Sequence, residues 1–101
     1  MYNQARQRLR KLIDLDHSHL MRNSLIGVEK ETLRVNKQGG IAQTLHPARL
    51  GSALTHPYIT TDYSEALTEL ITPPFYSIRD VLDFLRDTQQ FVYQCLEGEY
   101  L

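Results

Sequence analysis

One cysteine, Cys95, is all that this 101-residue sequence offers to sulfur chemistry. A single thiol excludes an intrachain disulfide and suits a reducing compartment. Long apolar runs are also missing, so no segment reads as a bilayer span. The polar, basic N-terminus has no apolar stretch behind it and does not read as a signal peptide. Neither sign of charge dominates: 11 Lys and Arg against 12 Asp and Glu leave a formal net charge of −1. No global field therefore recruits nucleic acid or an anionic membrane. No Gly-rich phosphate loop, Walker motif or Ser/His/Asp arrangement is visible. These features lead us to expect a cytoplasmic protein with neither nucleic-acid nor membrane partners. The apolar share of 42% and the charged share of 23% are close to ordinary. The length suffices for one small domain with a core, and not for two.

Residues 2–20 are expected to be helical, because Ala5, Leu9, Leu12, Ile13 and Leu20 share one stripe that only Asp16 interrupts. Arg6, Arg8, Arg10 and Lys11 crowd this helix. They read as a solvated face, since a nucleic-acid patch needs a wider basic surface and stacking aromatics. Residues 27–35 alternate as a strand, and NKQGG (36–40) has the Asn and paired Gly of a tight reversal. Two His-Pro pairs, at 46–47 and 56–57, bracket a loop in which Pro47 can open a helical turn that Gly51 closes. YITTD (58–62) is rich in β-formers. SEALTELIT (64–72) is ambiguous. Helix formers fill its first half, but Leu67, Glu69 and Ile71 alternate with Ala66, Thr68, Leu70 and Thr72, and we favour a strand ended by Pro73 and Pro74. Ser77 with Asp80 reads as the cap of a helix over 77–97, with an apolar stripe of Ile78, Val81, Leu82, Leu85, Val92 and Leu96 and a stop at Gly98.

VEKETLRV (28–35) poses a puzzle. Val28, Lys30, Thr32 and Arg34 form one face, polar as a solvent face should be. Glu29 and Glu31 then share the other face with Leu33 and Val35, and Glu69 repeats the pattern between Leu67 and Ile71. Asp62 precedes the second of these strands. In neighbouring strands the acids converge, and two charges ~5 Å apart at an effective dielectric of about 20 repel by roughly 3 kcal/mol. Proton uptake or a bound cation would relieve this. Oxygen donors without Cys or nearby His favour magnesium or manganese over zinc. Inward residues two apart on a strand are ~6.5–7 Å apart, a spacing that lets two carboxylates serve two metal ions. The alternative is a set of solvated glutamates at a sheet edge. Cys95, among apolar neighbours on a helix, reads as a structural thiol.

GVEKETLRVN (27–36), HPARLGSALTHPYITTDYSEALTELITP (46–73) and the helix that follows resemble the N-terminal part of proteobacterial glutamate–cysteine ligases, or γ-glutamylcysteine synthetases. The resemblance runs from about residue 25 to the C-terminus; before that, only a leading helix matches. It implies an α+β fold, part of a glutamine-synthetase-like catalytic domain whose curved, mainly antiparallel sheet is flanked by helices. It implies ATP-dependent joining of the γ-carboxyl of L-glutamate to the amino group of L-cysteine, the first step of glutathione synthesis. Glu29, Glu31, Glu69 and Asp62 would hold magnesium or manganese, and Tyr63 would wall the cysteine pocket. Members of the family are several times longer, so residues 1–101 are expected to form one incomplete domain, inactive alone and partnered by the remainder of the ligase chain. A free-standing acidic metal-binding module and a non-catalytic interaction fragment remain the alternatives.

Overall fold

The alternation over 27–35 and 58–72 becomes a three-stranded antiparallel sheet. In the computed structural model, which describes residues 1–101, the strands are β1 (Glu29–Leu33), β2 (Ile59–Thr61) and β3 (Leu67–Ile71), in the order β1-β3-β2. Two helices flank them in sequence, α1 (Tyr2–Asp14) and α2 (Ile78–Cys95), with short 3-10 turns at His17–Met21 and Ala48–Leu50. This is an α+β arrangement. The helix formers in 64–72 lose to tertiary context: β3 is the central strand and its backbone is paired on both sides. The β2–β3 connection is tight. Asp62 N–H donates to Leu67 O at 3.2 Å, and Leu67 N–H donates to Ser64 O at 3.1 Å.

The two faces of the sheet differ. Ile59 and Leu70 join Leu50, Val92 and Cys95 in the apolar cluster under α2, against which Leu85, Leu96 and Leu101 pack. Leu70 and Val92 are completely buried, a gain of about 1.5–3 kcal/mol per side chain. By alternation Lys30, Thr32, Arg34, Thr68 and Thr72 lie on this helix-covered side. Thr68 and Arg34 are also completely buried. The residues that the sequence assigns to a solvent face are thus on the covered one. Glu29 and Glu31 are exposed, and they share their face with the partly buried Leu67, Glu69 and Ile71. Arg34 enters the covered face as a hydrogen-bonded guanidinium, and Thr72 Oγ1 accepts from Val28 N–H at 2.9 Å.

α2 begins as its cap predicts, with Asp80 N–H donating to Ser77 Oγ at 3.4 Å. The chain past the helix then turns at Gly98, whose φ of +75° is the left-handed conformation that glycine tolerates. The NKQGG reversal closes with Asn36 N–H donating to Gly40 O, while Asn36 Oδ1 accepts from the N–H groups of Gln38 and Gly40.

The leading helix is shorter than the expected 2–20. It ends at Asp14, and Asp16 adopts φ 49°, ψ 42° before the chain re-enters a 3-10 turn. Ser18 Oγ donates to Asp16 Oδ1 and His19 Nδ1 contacts Asp16 O. Such local side-chain bonds offer the backbone an alternative to the helix ladder. No residue of α1 is buried, and Leu9, Leu12 and Ile13 are all exposed.

Candidate metal centre

The strand pairing brings the predicted acids together. β1 and β3 place Glu31 directly opposite Glu69 and Glu29 opposite Ile71. Beyond one end of this ladder Thr72 N–H donates to Val28 O, and beyond the other Arg34 N–H donates to Ala66 O. Even-numbered β1 residues therefore occupy the hydrogen-bonded positions. Glu31 and Glu69 fall on a non-hydrogen-bonded pair, where side chains approach most closely. On the other flank Thr60 faces Glu69, and Asp62 extends the pairing opposite Leu67. Alternation then sets Asp62 on the same side as Glu69. Tyr63 follows in the β2–β3 turn and is exposed.

Electrostatics record the crowding. Burial and then the negative charges of Glu29, Asp62 and Glu31 push the Glu69 carboxyl above its ordinary value of 4.5. A proton on Glu69, or a cation beside it, would relieve the same repulsion. The donors are all oxygen, which suits a hard divalent cation. No three His, Cys, Asp or Glu side chains converge closely enough to enclose one ion. The face thus offers oxygen donors on paired strands, without an enclosed position for one ion.

The histidines and the cysteine lie apart from this face. His17 and His19 stack edge to face with centroids 6.2 Å apart in the 3-10 turn. His56 Nδ1 accepts from the N–H groups of Tyr58 and Ile59 and serves as a turn residue. Cys95 is buried in the apolar cluster. It also borders a cavity of about 650 Å3 lined in part by Arg34, Thr44, His46 and Glu99.

Sequence reading missed the Arg34 network. Arg34 Nη1 donates to Glu99 Oε2 at 2.6 Å and to Thr44 Oγ1 at 2.8 Å; Nη2 donates to Thr44 O at 2.9 Å and to Glu65 O at 3.0 Å. Burial pushes the Glu99 carboxyl up, but hydrogen bonds from Thr44 and Arg34, with the Arg34 charge, outweigh this and hold it below 4.5. No local pattern announces a pair separated by 65 residues.

Comparison with known proteins shows the family. A sequence model of the glutamate-cysteine ligase family matches residues 9–101. The chain is 54% identical over 85 residues to a glutamate--cysteine ligase of Bordetella parapertussis, covering 84% of this chain and 16% of the relative. It is 50% identical over 95 residues to that of Azotobacter vinelandii, covering 94% of this chain and 18% of the relative. It therefore spans less than a fifth of the length of these relatives. Among solved structures, it resembles glutamate--cysteine ligase from Francisella tularensis in complex with AMP, with a TM-score of 0.75 and 42% identity over 76% of this chain and 16% of that one. A bifunctional glutathione synthetase from Pasteurella multocida gives a TM-score of 0.76 and 38% identity over 88% of this chain and 12% of that one. Both are neighbours of the glutamine-synthetase-like kind, in keeping with the antiparallel α+β sheet. With the family model covering nearly the whole sequence and identities near one half, the chain belongs to the glutamate–cysteine ligase family.

Proposed function

We propose that residues 1–101 form the N-terminal part of an ATP-dependent ligase that joins the γ-carboxyl of L-glutamate to the amino group of L-cysteine. One observation carries the assignment of the site: Glu31 and Glu69 meet on the open face of the sheet, with Glu29 and Asp62 beside them. These four carboxylates would hold magnesium or manganese. When bound, the metal supplies positive charge that offsets the phosphates of ATP as phosphoryl transfer proceeds. The chain contributes fixed oxygen donors on strands, which hold geometry better than loops do. Leu67 and Ile71 flank Glu69 on its face. The glutamate γ-carboxyl becomes an acyl phosphate, a mixed anhydride, and the amine of cysteine displaces phosphate. Tyr63, exposed in the turn beside Asp62, would wall the pocket for the cysteine side chain.

The test is a chimera in which residues 9–101 of this chain replace the matching segment of the Azotobacter vinelandii ligase. We expect it to form γ-glutamylcysteine. Glu31→Gln and Glu69→Gln should each lower turnover at limiting magnesium by roughly 100-fold, at least the loss typical of disturbed metal sites, with folding intact. Near-normal turnover in Glu69→Gln at limiting magnesium would remove the ligand assignment. The 101-residue chain alone, given ATP, magnesium, glutamate and cysteine, should release no phosphate that depends on both amino acids. Catalysis here requires metals, nucleotide and two amino acids in one geometry.

A further inference from the structure

We propose that Arg34 is a positioning residue, which sets the acidic face from the opposite side of the sheet by clamping β1 to the β2–β3 turn. The inference rests on the metal-holding reading above. Arg34 follows β1, the strand of Glu29 and Glu31. Its backbone N–H donates to Ala66 O at 2.8 Å, and its guanidinium reaches Glu65 O at 3.0 Å. Glu65 and Ala66 belong to the turn that leaves Asp62 and enters β3, the strand of Glu69. Arg34 thus bonds the strand of one pair of acids to the turn that joins the other two. Its side chain is fully buried on the helix-covered side. It acts through the backbone and touches none of the four carboxylates.

Register makes this clamp consequential. A one-residue slip between β1 and β3 would leave Glu31 facing a residue of the covered side instead of Glu69. Two anchors at the end of the ladder oppose such a slip. The guanidinium suits the task because it offers five donors in a planar fork, whereas a lysine ammonium concentrates its charge on a flexible stem. Glu99 supplies the countercharge, and Thr44 Oγ1 in turn donates to Glu99 Oε1. The tail is held by more than this pair, since Val35 and Tyr100 exchange backbone hydrogen bonds at 2.8 and 2.9 Å. Tail, loop 44 and turn 65–66 therefore meet at one guanidinium.

The experiment uses the chimera described above, with Arg34→Lys and the milder, nearly isosteric Thr44→Val. Free Mn2+ is measured by electron paramagnetic resonance, and amide hydrogen exchange is followed at Asp62 and Leu67 and, as a core control, at Leu70 and Val92. We expect Arg34→Lys to speed exchange at Asp62 and Leu67 and to weaken Mn2+ binding about tenfold, while the core amides stay protected. Thr44→Val should move both readouts the same way by less, and it carries the test should Arg34→Lys fail to fold. A folded variant of either kind that binds Mn2+ as tightly as the parent, while Glu69→Gln has lost binding, overturns the positioning role and leaves the ligand reading intact. Unchanged Mn2+ binding in Glu69→Gln overturns the ligand reading and this inference with it.

Discussion

Replacing Glu69 by Gln in the metal-free chain should raise stability at neutral pH, although most single substitutions lower it. The reason lies in the pairing. Glu69 faces Glu31 across a non-hydrogen-bonded position, with Glu29 and Asp62 contributing further negative charge. Water reaches this face, so a dielectric of about 80 is appropriate, and one pair of charges ~5 Å apart costs about 0.8 kcal/mol. Three such neighbours, all screened by salt, bring the total to about 1 kcal/mol. In a domain of this size that moves Tm by about 4–8 °C. The pH dependence fixes the sign. Burial, then Glu29, Asp62 and Glu31, raise the folded-state value of Glu69 above 4.5. An acid raised in this way favours the fold fully below its unfolded value, and that contribution is lost as pH rises through the folded value. Gln loses nothing on this path. Its advantage should therefore be present at about pH 7, shrink towards about pH 4, and also shrink in about 1 M salt, where the Debye length is about 3 Å. Circular dichroism melts in EDTA measure all of this. A Gln variant that melts below the parent at neutral pH, or a gain independent of pH, would refute the crowding argument.

Glu99→Gln should act in the opposite direction. It strands the buried Arg34 charge, and we expect a loss of about 3 kcal/mol by urea unfolding, the lower end of the usual range because the Glu99 side chain is 13% exposed. The pH window also inverts. The Glu99 carboxyl is held below 4.5, so its contribution is present above that value and lost as pH falls through the depressed one; the variant should lack this acid limb, and an unchanged acid transition would count against the pair. Leu70→Ala empties a completely buried position in the apolar cluster and should cost about 2–5 kcal/mol. A melt within about 2 °C of the parent would show that the cluster is not what holds α2 to the sheet.

The sequence made the elements legible wherever local chemistry decides them. Ser77 and Asp80 announced the start of α2, and the NKQGG reversal announced the turn after β1. Alternation placed Glu29, Glu31 and Glu69 on a common face, and the register bears that out. It could not say which face the helix covers. Leu33 and Val35 argued for the glutamate face, and Arg34 argued for solvent on the other. The structure reverses this because Arg34 finds Glu99, Thr44 and Glu65, which lie 65, 10 and 31 residues away in sequence. A buried charge is tolerated through such partners, and no local window contains them. The break at Asp16 was equally invisible to periodicity, since hydrogen bonds at the side chain and backbone of one residue favour leaving the helix where the apolar stripe would continue it.

The reversal also explains why charged residues can alternate so strictly along β1 and β3. Period-two geometry lets one strand answer two demands without compromise. Even-numbered positions, Leu70 and Thr68 with Arg34, meet the helix-covered side and are completely buried there. Odd-numbered positions, Glu29, Glu31 and Glu69, meet the open side, where packing asks little of them. The apolar cluster and the acidic face are thus separated by a sheet one backbone thick. The separation is incomplete at Arg34, whose bonds on the covered side fix the register of the open one. A change at Glu69 should leave the covered side intact, and a change at Arg34 should be felt on both sides. That asymmetry follows from the pairing alone.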